Sequence, residues 1–257
     1  GNDYITLASN NFGDSSFSVS IWMNQDSGTG YQPLFAGSGY SGGDGIWIGT
    51  RSNKIEIWVA VGGSSTKILE SAAASIVFNT WNNVVVKREY NIGWTLYLNG
   101  DSVDTETSST LTDDLTSANS NFGKHYNSAS YFVGKLSNIS TYNLALTEDQ
   151  IITVYNGGVP NSVSSLSPVG WWSLSGDSYY NGATWICPDL SSNSNNAEGA
   201  METDSLVGDG PGGEANGEAV GMNIPLNLKG NAPNSTANAF SVNMNFGDKT
   251  NDVPVVP

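Results

Sequence analysis

YFVGKLSNISTYNLALTEDQIITVYNG, residues 131–157, reads as a strand that runs into a turn and then into one short helix. Thr147 followed by Gln150 has the pattern of a capping box, in which each side chain serves a helix-start N–H of the other. Ile151, Val154 and Tyr155 then fall at i, i+3 and i+4, enough to fix one short helix on a sheet. Gly157, Gly158 and then Pro160 predict its end. Upstream, Tyr131 to Tyr142 is rich in β-branched and aromatic residues, as a strand is.

Outward from this block, residues 1–158 read as successive strands. FSVSIWM puts Phe17, Val19, Ile21 and Met23 on one face, and KIEIWVAV does the same with Ile55, Ile57, Val59 and Val61. NNVVVKRE follows, then WTLYL with Trp94, Leu96 and Leu98 in phase. Asn99-Gly100, between WTLYL and DSVDTE, is a strong hairpin signal. Two antiparallel sheets packed face to face bury such alternating faces most economically. The expected fold is therefore all-β, a two-sheet antiparallel sandwich with one short helix.

The 131–157 block resembles the closing strand and helix of the laminin-G-like, or concanavalin A-like, jelly roll. NDYITL resembles that family's early strand and FSVSIWM its next core strand. WNNVVVKRE with GWTLYLNGDSV resembles its hairpin carrying a Leu-Asn-Gly turn. Taken in order, these pieces extend the resemblance over 1–158. It implies a jelly roll that serves mostly as a binding scaffold. Some glucanases share the fold, with Glu-x-Asp-x-x-Glu on one strand supplying nucleophile and acid. No such run exists here: Glu56 stands alone in KIEIW, Glu89 follows Lys87 and Arg88, and Asp113-Asp114 falls in an expected loop. Catalysis is not expected.

Composition narrows the classes further. A net charge of −15 with only 9 Lys plus Arg opposes nucleic-acid binding, which needs cations to neutralise phosphates. A single cysteine, Cys187, excludes an intrachain disulfide and reads as a small buried apolar residue. No run is long and apolar enough for a membrane helix, so membrane insertion is not expected. The one histidine, His125, sits in a polar GKHYN turn and is expected to be solvated. GDGPGG at 208–213 has neither the lysine nor the following helix of a phosphate-binding loop.

Beyond the jelly roll at 1–158, residues 159–167 read as a linker and 168–202 as a Trp-rich strand and loop. GWWSLSGD…PDLSSNSNNAEGAM resembles the family's usual opening strand and loop, displaced to follow the closing helix. It either completes the same jelly roll or starts a sheet element that pairs with a neighbouring subunit. The need to bury Trp171, Trp172 and Trp185 favours completion of the same or an adjacent sandwich. Residues 203–257 have no sustained period and too few large apolar residues for a core, so they read as an extended, acidic, Asn/Gly-rich assembly arm.

Two sets of residues are candidate sites. Trp22, Trp47 and Trp58 are out of phase with their apolar neighbours, which puts them on outer sheet faces, where rings either stack on sugars or pack against loops, an arm or another subunit. In DLSSNSN, Asp189, Ser191, Asn193 and Asn195 alternate and could offer oxygens to calcium. A plain Asx-turn loop competes, because the run has one carboxylate. The family often carries an Asp in its closing strand near such a site, where Ser137 stands here. No other cofactor is expected.

The tail, DSLVGDGPGG…MNIPLNLKGNAPNSTANAFSVNMNFGDKTNDVP, resembles the ends of structural proteins of marine tailed bacteriophages. That resemblance implies a non-enzymatic virion protein on the particle's external surface, as capsid decoration or in a head or tail fibre. Its partners would be other virion subunits, in a homo-oligomer, and a host-surface glycan. The alternative is a carbohydrate-binding module of a bacterial surface or secreted protein.

Overall fold

Alternation in FSVSIWM and KIEIWVAV has the consequence it predicts. Phe17, Val19, Ile21 and Met23 of β2 (Phe17–Gln25) join Ile55, Ile57 and Val59 of β5 (Lys54–Val61) in one buried apolar cluster. The computed structural model describes residues 3–7, 12–28, 30–37, 44–107, 113–116, 120–126, 129–174, 177–200, 211, 240–243 and 252–255. These form two antiparallel sheets around that cluster. The first runs in the order β13 (Tyr179–Tyr180), β14 (Trp185–Cys187), β15 (Ala197–Ala200), β1 (Tyr4–Leu7), β10 (Ser120–Phe122), β3 (Gln32–Gly37), β4 (Gly45–Arg51), β5 and β6 (Ser64–Glu70). The second runs β12 (Gly170–Trp172), β11 (Gly134–Tyr142), β2, β7 (Trp81–Glu89), β8 (Gly93–Leu98) and β9 (Asp101–Glu106). Each large apolar side chain fully buried between them is worth roughly 1.5–3 kcal/mol.

The turn signal is used as read. Asn99 and Gly100 have φ of 54° and 87° and join β8 to β9, the positive pair that a tight hairpin requires. The helix α1 (Glu148–Tyr155) carries both halves of its capping box: Thr147 N donates to Gln150 Oε1 at 2.9 Å, and Gln150 N donates to Thr147 Oγ1 at 3.3 Å. Ile151 and Val154 lie on the outer side of the second sheet in a smaller apolar cluster with Val85, Tyr97 and Tyr142. Val163, from the stretch read as a linker, is buried in that same cluster.

Residues 170–200 add strands to both sheets of this same chain. β12 pairs with β11, setting Trp172 opposite Ile139, and β15 pairs with β1. Trp172, Cys187 and Ala197 enter the main core, and the Trp172 Nε1–H donates to the Asn195 carbonyl at 3.1 Å. Most of the arm at 203–257 lies outside the described residues. Within it, β16 (Phe240–Asn243) and β17 (Asp252–Val255) form a separate two-stranded sheet.

Candidate functional site

On β4 and β5, the residues that alternate with the core positions face away from it. Register sets Gly45 opposite Ala60, Trp47 opposite Trp58, Gly49 opposite Glu56 and Arg51 opposite Lys54. β6 extends these rows with Ser65 beside Ala60, Lys67 beside Trp58 and Glu70 beside Glu56. The outer face thus has a small-residue end, an aromatic middle and a charged end.

Two further rings reach this face from outside β4 and β5. At Gly49 an added Cβ would come within 2.7 Å of the Tyr31 ring and 2.8 Å of the Gln32 carbonyl oxygen. The missing side chain therefore lets Tyr31 lie down on the strand. Tyr31 stacks on Trp47 at 4.7 Å between centroids, and the Arg51 guanidinium sits 5.5 Å above its ring. Trp47 meets Trp58 edge-on at 5.8 Å. Such ring pairs contribute about 0.5–1.5 kcal/mol each beyond their buried area. His125 packs edge-on against Trp47 at 5.5 Å and Tyr31 at 6.0 Å. It is 8% exposed, so the expectation of a solvated histidine is corrected: neighbouring rings close over it. Trp47, Trp58 and Tyr126 line a small hollow together with Gly45, Ala60 and Ser65.

Glu56, next to Trp58 in the same outward row of β5, anchors the aromatic middle. Its side chain is buried and accepts the Trp58 Nε1–H at 3.0 Å, while Arg51 Nε and Lys67 Nζ each stand 3.8 Å from it. Glu70 is held by Lys54 at 2.7 Å and Lys67 at 2.8 Å, and these hydrogen bonds keep its carboxyl below the usual range. The Glu70 hydrogen bond likewise raises Lys67. Burial pushes the Tyr31 hydroxyl well up, and its oxygen is enclosed with no hydrogen-bond partner among the described residues. Since an unpaired buried hydroxyl only costs stability, Tyr31→Phe is expected to leave the unfolding free energy unchanged or raise it by up to about 1 kcal/mol. A thermal melt checks this.

The model of the concanavalin A-like lectin/glucanases superfamily matches residues 1–152. The chain belongs to this superfamily. Solved structures similar to it include a native heptameric SAP-like pentraxin from Limulus polyphemus, at 14% identity and a TM-score of 0.47, covering 60% of this chain and 74% of that one. The receptor binding domain of botulinum neurotoxin D is 18% identical with a TM-score of 0.47, covering 56% of this chain and 37% of that one. The botulinum serotype D ligand binding domain in complex with N-acetylneuraminic acid is 16% identical with a TM-score of 0.44, covering 56% and 36%. This chain therefore spans well under half of the botulinum chains. Identities this low speak to fold alone. Comparison with curated proteins finds no match.

A lectin/glucanase jelly roll leaves binding and hydrolysis to be told apart by its carboxylates. Glu56 and Glu70 are neighbours across β5 and β6, but a hydrolase needs one carboxyl kept protonated as its acid. Here both are ion-paired, and Glu70 is shifted in the opposite direction. What the face presents outward is flat rings and ion-paired side chains. That chemistry suits holding a ligand.

The three tryptophan candidates do not lie together. Trp47 and Trp58 share the face just described, both half-buried. Trp22 does lie on an outer face, but of the other sheet, where α1 covers it. It is 1% exposed and stacks on Tyr155 at 5.9 Å, so its place as a sugar-contacting ring is corrected to a packing role. Tyr31, Arg51, Glu56, His125 and Tyr126 complete the site and were not legible as a group. Gly49, a glycine at an outward position inside a strand, is the signal that a neighbour's side chain approaches there.

The candidate cation loop is closed by its own hydrogen bonds. Asp189 Oδ1 accepts from Trp171 N at 2.8 Å and Ser191 N at 2.9 Å. Its Oδ2 accepts from Ser191 Oγ at 2.8 Å and Asn195 N at 2.8 Å. Asn193 turns its amide N–H to the Val169 carbonyl at 3.1 Å. With these contacts the carboxylate ties the loop to β12 as an Asx turn does. Asp189→Ala is expected to cost about 2–4 kcal/mol in urea unfolding. Melting temperatures in calcium and in EDTA are expected to coincide.

Proposed function

We propose that this chain is a non-enzymatic carbohydrate-binding domain whose ligand lies on the outer face of β4 to β6. The observation that supports this is the Trp47–Trp58 pair, half-buried in an outward face, with Trp58 held by Glu56 through its N–H and Trp47 held by the stacked Tyr31 ring. Preset rings bind without losing much side-chain freedom, and the apolar C–H faces of sugars match them. The Trp58 N–H is already taken by Glu56, so the ring offers its flat face. Tryptophan emission tests the proposal. Titration with a bound polysaccharide should change the emission of the wild type and of Trp22→Phe, and the change should be lost in the Trp47→Ala/Trp58→Ala double variant. An unaltered response in that double variant would move the ligand elsewhere.

The setting we propose is the outside of a phage particle, with the C-terminal arm joining the domain to neighbouring subunits. Among the described residues β16 and β17 pair with each other and with neither sheet of the sandwich, and a lone two-stranded ribbon is marginal in water. An arm that acquires further contacts from a neighbour resolves that weakness. Mass spectrometry of purified virions tests the setting. Recovery at the copy number of a shell or fibre protein supports it, whereas absence from particles moves the domain to a bacterial surface or secreted protein.

A further inference from the structure

At the charged end of the same face, Lys54 and Lys67 are each engaged by Glu70 at hydrogen-bonding distance. Arg51 is different. Among the described residues only its Nε approaches a carboxylate, Glu56 at 3.8 Å, which is beyond a hydrogen bond. Its side chain is 43% exposed. Even so, the guanidinium is not loose, because it lies over the Tyr31 ring, which itself stacks on Trp47. The stack holds a planar donor fork open to solvent and oriented in advance. Such a fork matches a carboxylate or sulfate through two parallel hydrogen bonds.

Charge distribution agrees. The chain has a net charge of −15 and 9 Lys plus Arg, and Arg51, Lys54 and Lys67 of those gather on this one face. Against them stand Glu56 and Glu70, with Asp104 accepting the Glu70 N–H at 2.7 Å, so this end of the face is close to neutral on a strongly acidic protein. A near-neutral end opposes the approach of an anion less than the rest of so acidic a chain does. The guanidinium lies 5.5 Å from the Tyr31 ring and that ring 4.7 Å from Trp47, so one ligand can reach both the aromatic middle and the fork.

We propose that the site is specific for acidic glycans: one sugar ring stacks at Trp47 and Trp58, and a carboxylate or sulfate further along the chain takes the Arg51 fork. This rests on the carbohydrate-binding reading above and adds the ligand class to it. The test is affinity electrophoresis of the full chain through gels containing polygalacturonate, alginate or dextran sulfate, with dextran, galactan and laminarin as neutral counterparts. At least one acidic polymer should retard the protein, and the neutral ones should not. Arg51→Gln should weaken that retardation about ten- to a hundredfold with the melting temperature unchanged. Arg51→Lys keeps the charge without the fork and should fail to restore it. Neutral polymers that retard the protein equally, with no effect of Arg51→Gln, would overturn the acidic assignment and leave the carbohydrate reading standing. Retardation by acidic polymers that survives loss of both Trp47 and Trp58 would be plain ion exchange and would overturn it too. Retardation by none of the six polymers would overturn the acidic assignment and count against the carbohydrate reading as well.

Discussion

A chain ended at Tyr155 is expected not to fold, whereas one ended at Ala200 keeps the whole sandwich. The superfamily match stops at residue 152, yet residues 170–200 supply the strands that finish both sheets. Without β12, β11 loses its neighbour on one side, and without β15, β1 becomes an exposed edge. The core loses Trp172, Cys187 and Ala197 together. Truncating a single buried tryptophan to Ala costs about 3–5 kcal/mol. Total stabilities of single domains run at about 5–15 kcal/mol, so losing all of these exceeds what the remainder can absorb. Circular dichroism and urea unfolding of the two truncated chains check this. A cooperative transition in the shorter chain would show that residues 170–200 decorate a domain already complete without them.

The second large effect separates three tryptophans that look alike in the sequence. Trp47→Ala and Trp58→Ala are each expected to lower glycan affinity about thirtyfold or more, as loss of a central aromatic anchor does. Both rings are half-buried, so their loss should cost stability only modestly. Trp22→Ala should do the reverse. It empties a site enclosed between β2 and α1, at about 3–5 kcal/mol, while leaving the binding face untouched. Calorimetric titration and thermal melts on the three variants separate the roles.

Much of the fold could be read from local pattern because local physics set it. The Thr147–Gln150 box, the Asn99-Gly100 turn and the period-2 faces of β2, β5 and β8 each depend on a few adjacent residues. The same periodicity put Trp22, Trp47 and Trp58 on outer sheet faces, away from the space between the sheets. It could not say which outer face α1 would cover, because the spacing of Ile151, Val154 and Tyr155 specifies an apolar stripe but not its partner. Tyr31 and His125 were hidden for a similar reason. They reach the site from outside β4 and β5, through the space left at Gly49 and the pairing of β3 with β4, which only the assembled sheet defines. The partners of the oxygen-rich run at 189–195 were not legible locally, because the Trp171 and Val169 backbone groups that it binds lie some twenty residues earlier.

The measurement that bears most directly on the binding face is a glycan array probed with the full chain and with the Trp47→Ala/Trp58→Ala double variant. The wild type should bind a defined subset of glycans and the folded double variant none of them. Equal binding by both proteins, or no binding by the wild type, would contradict a carbohydrate site on the outer face of β4 to β6.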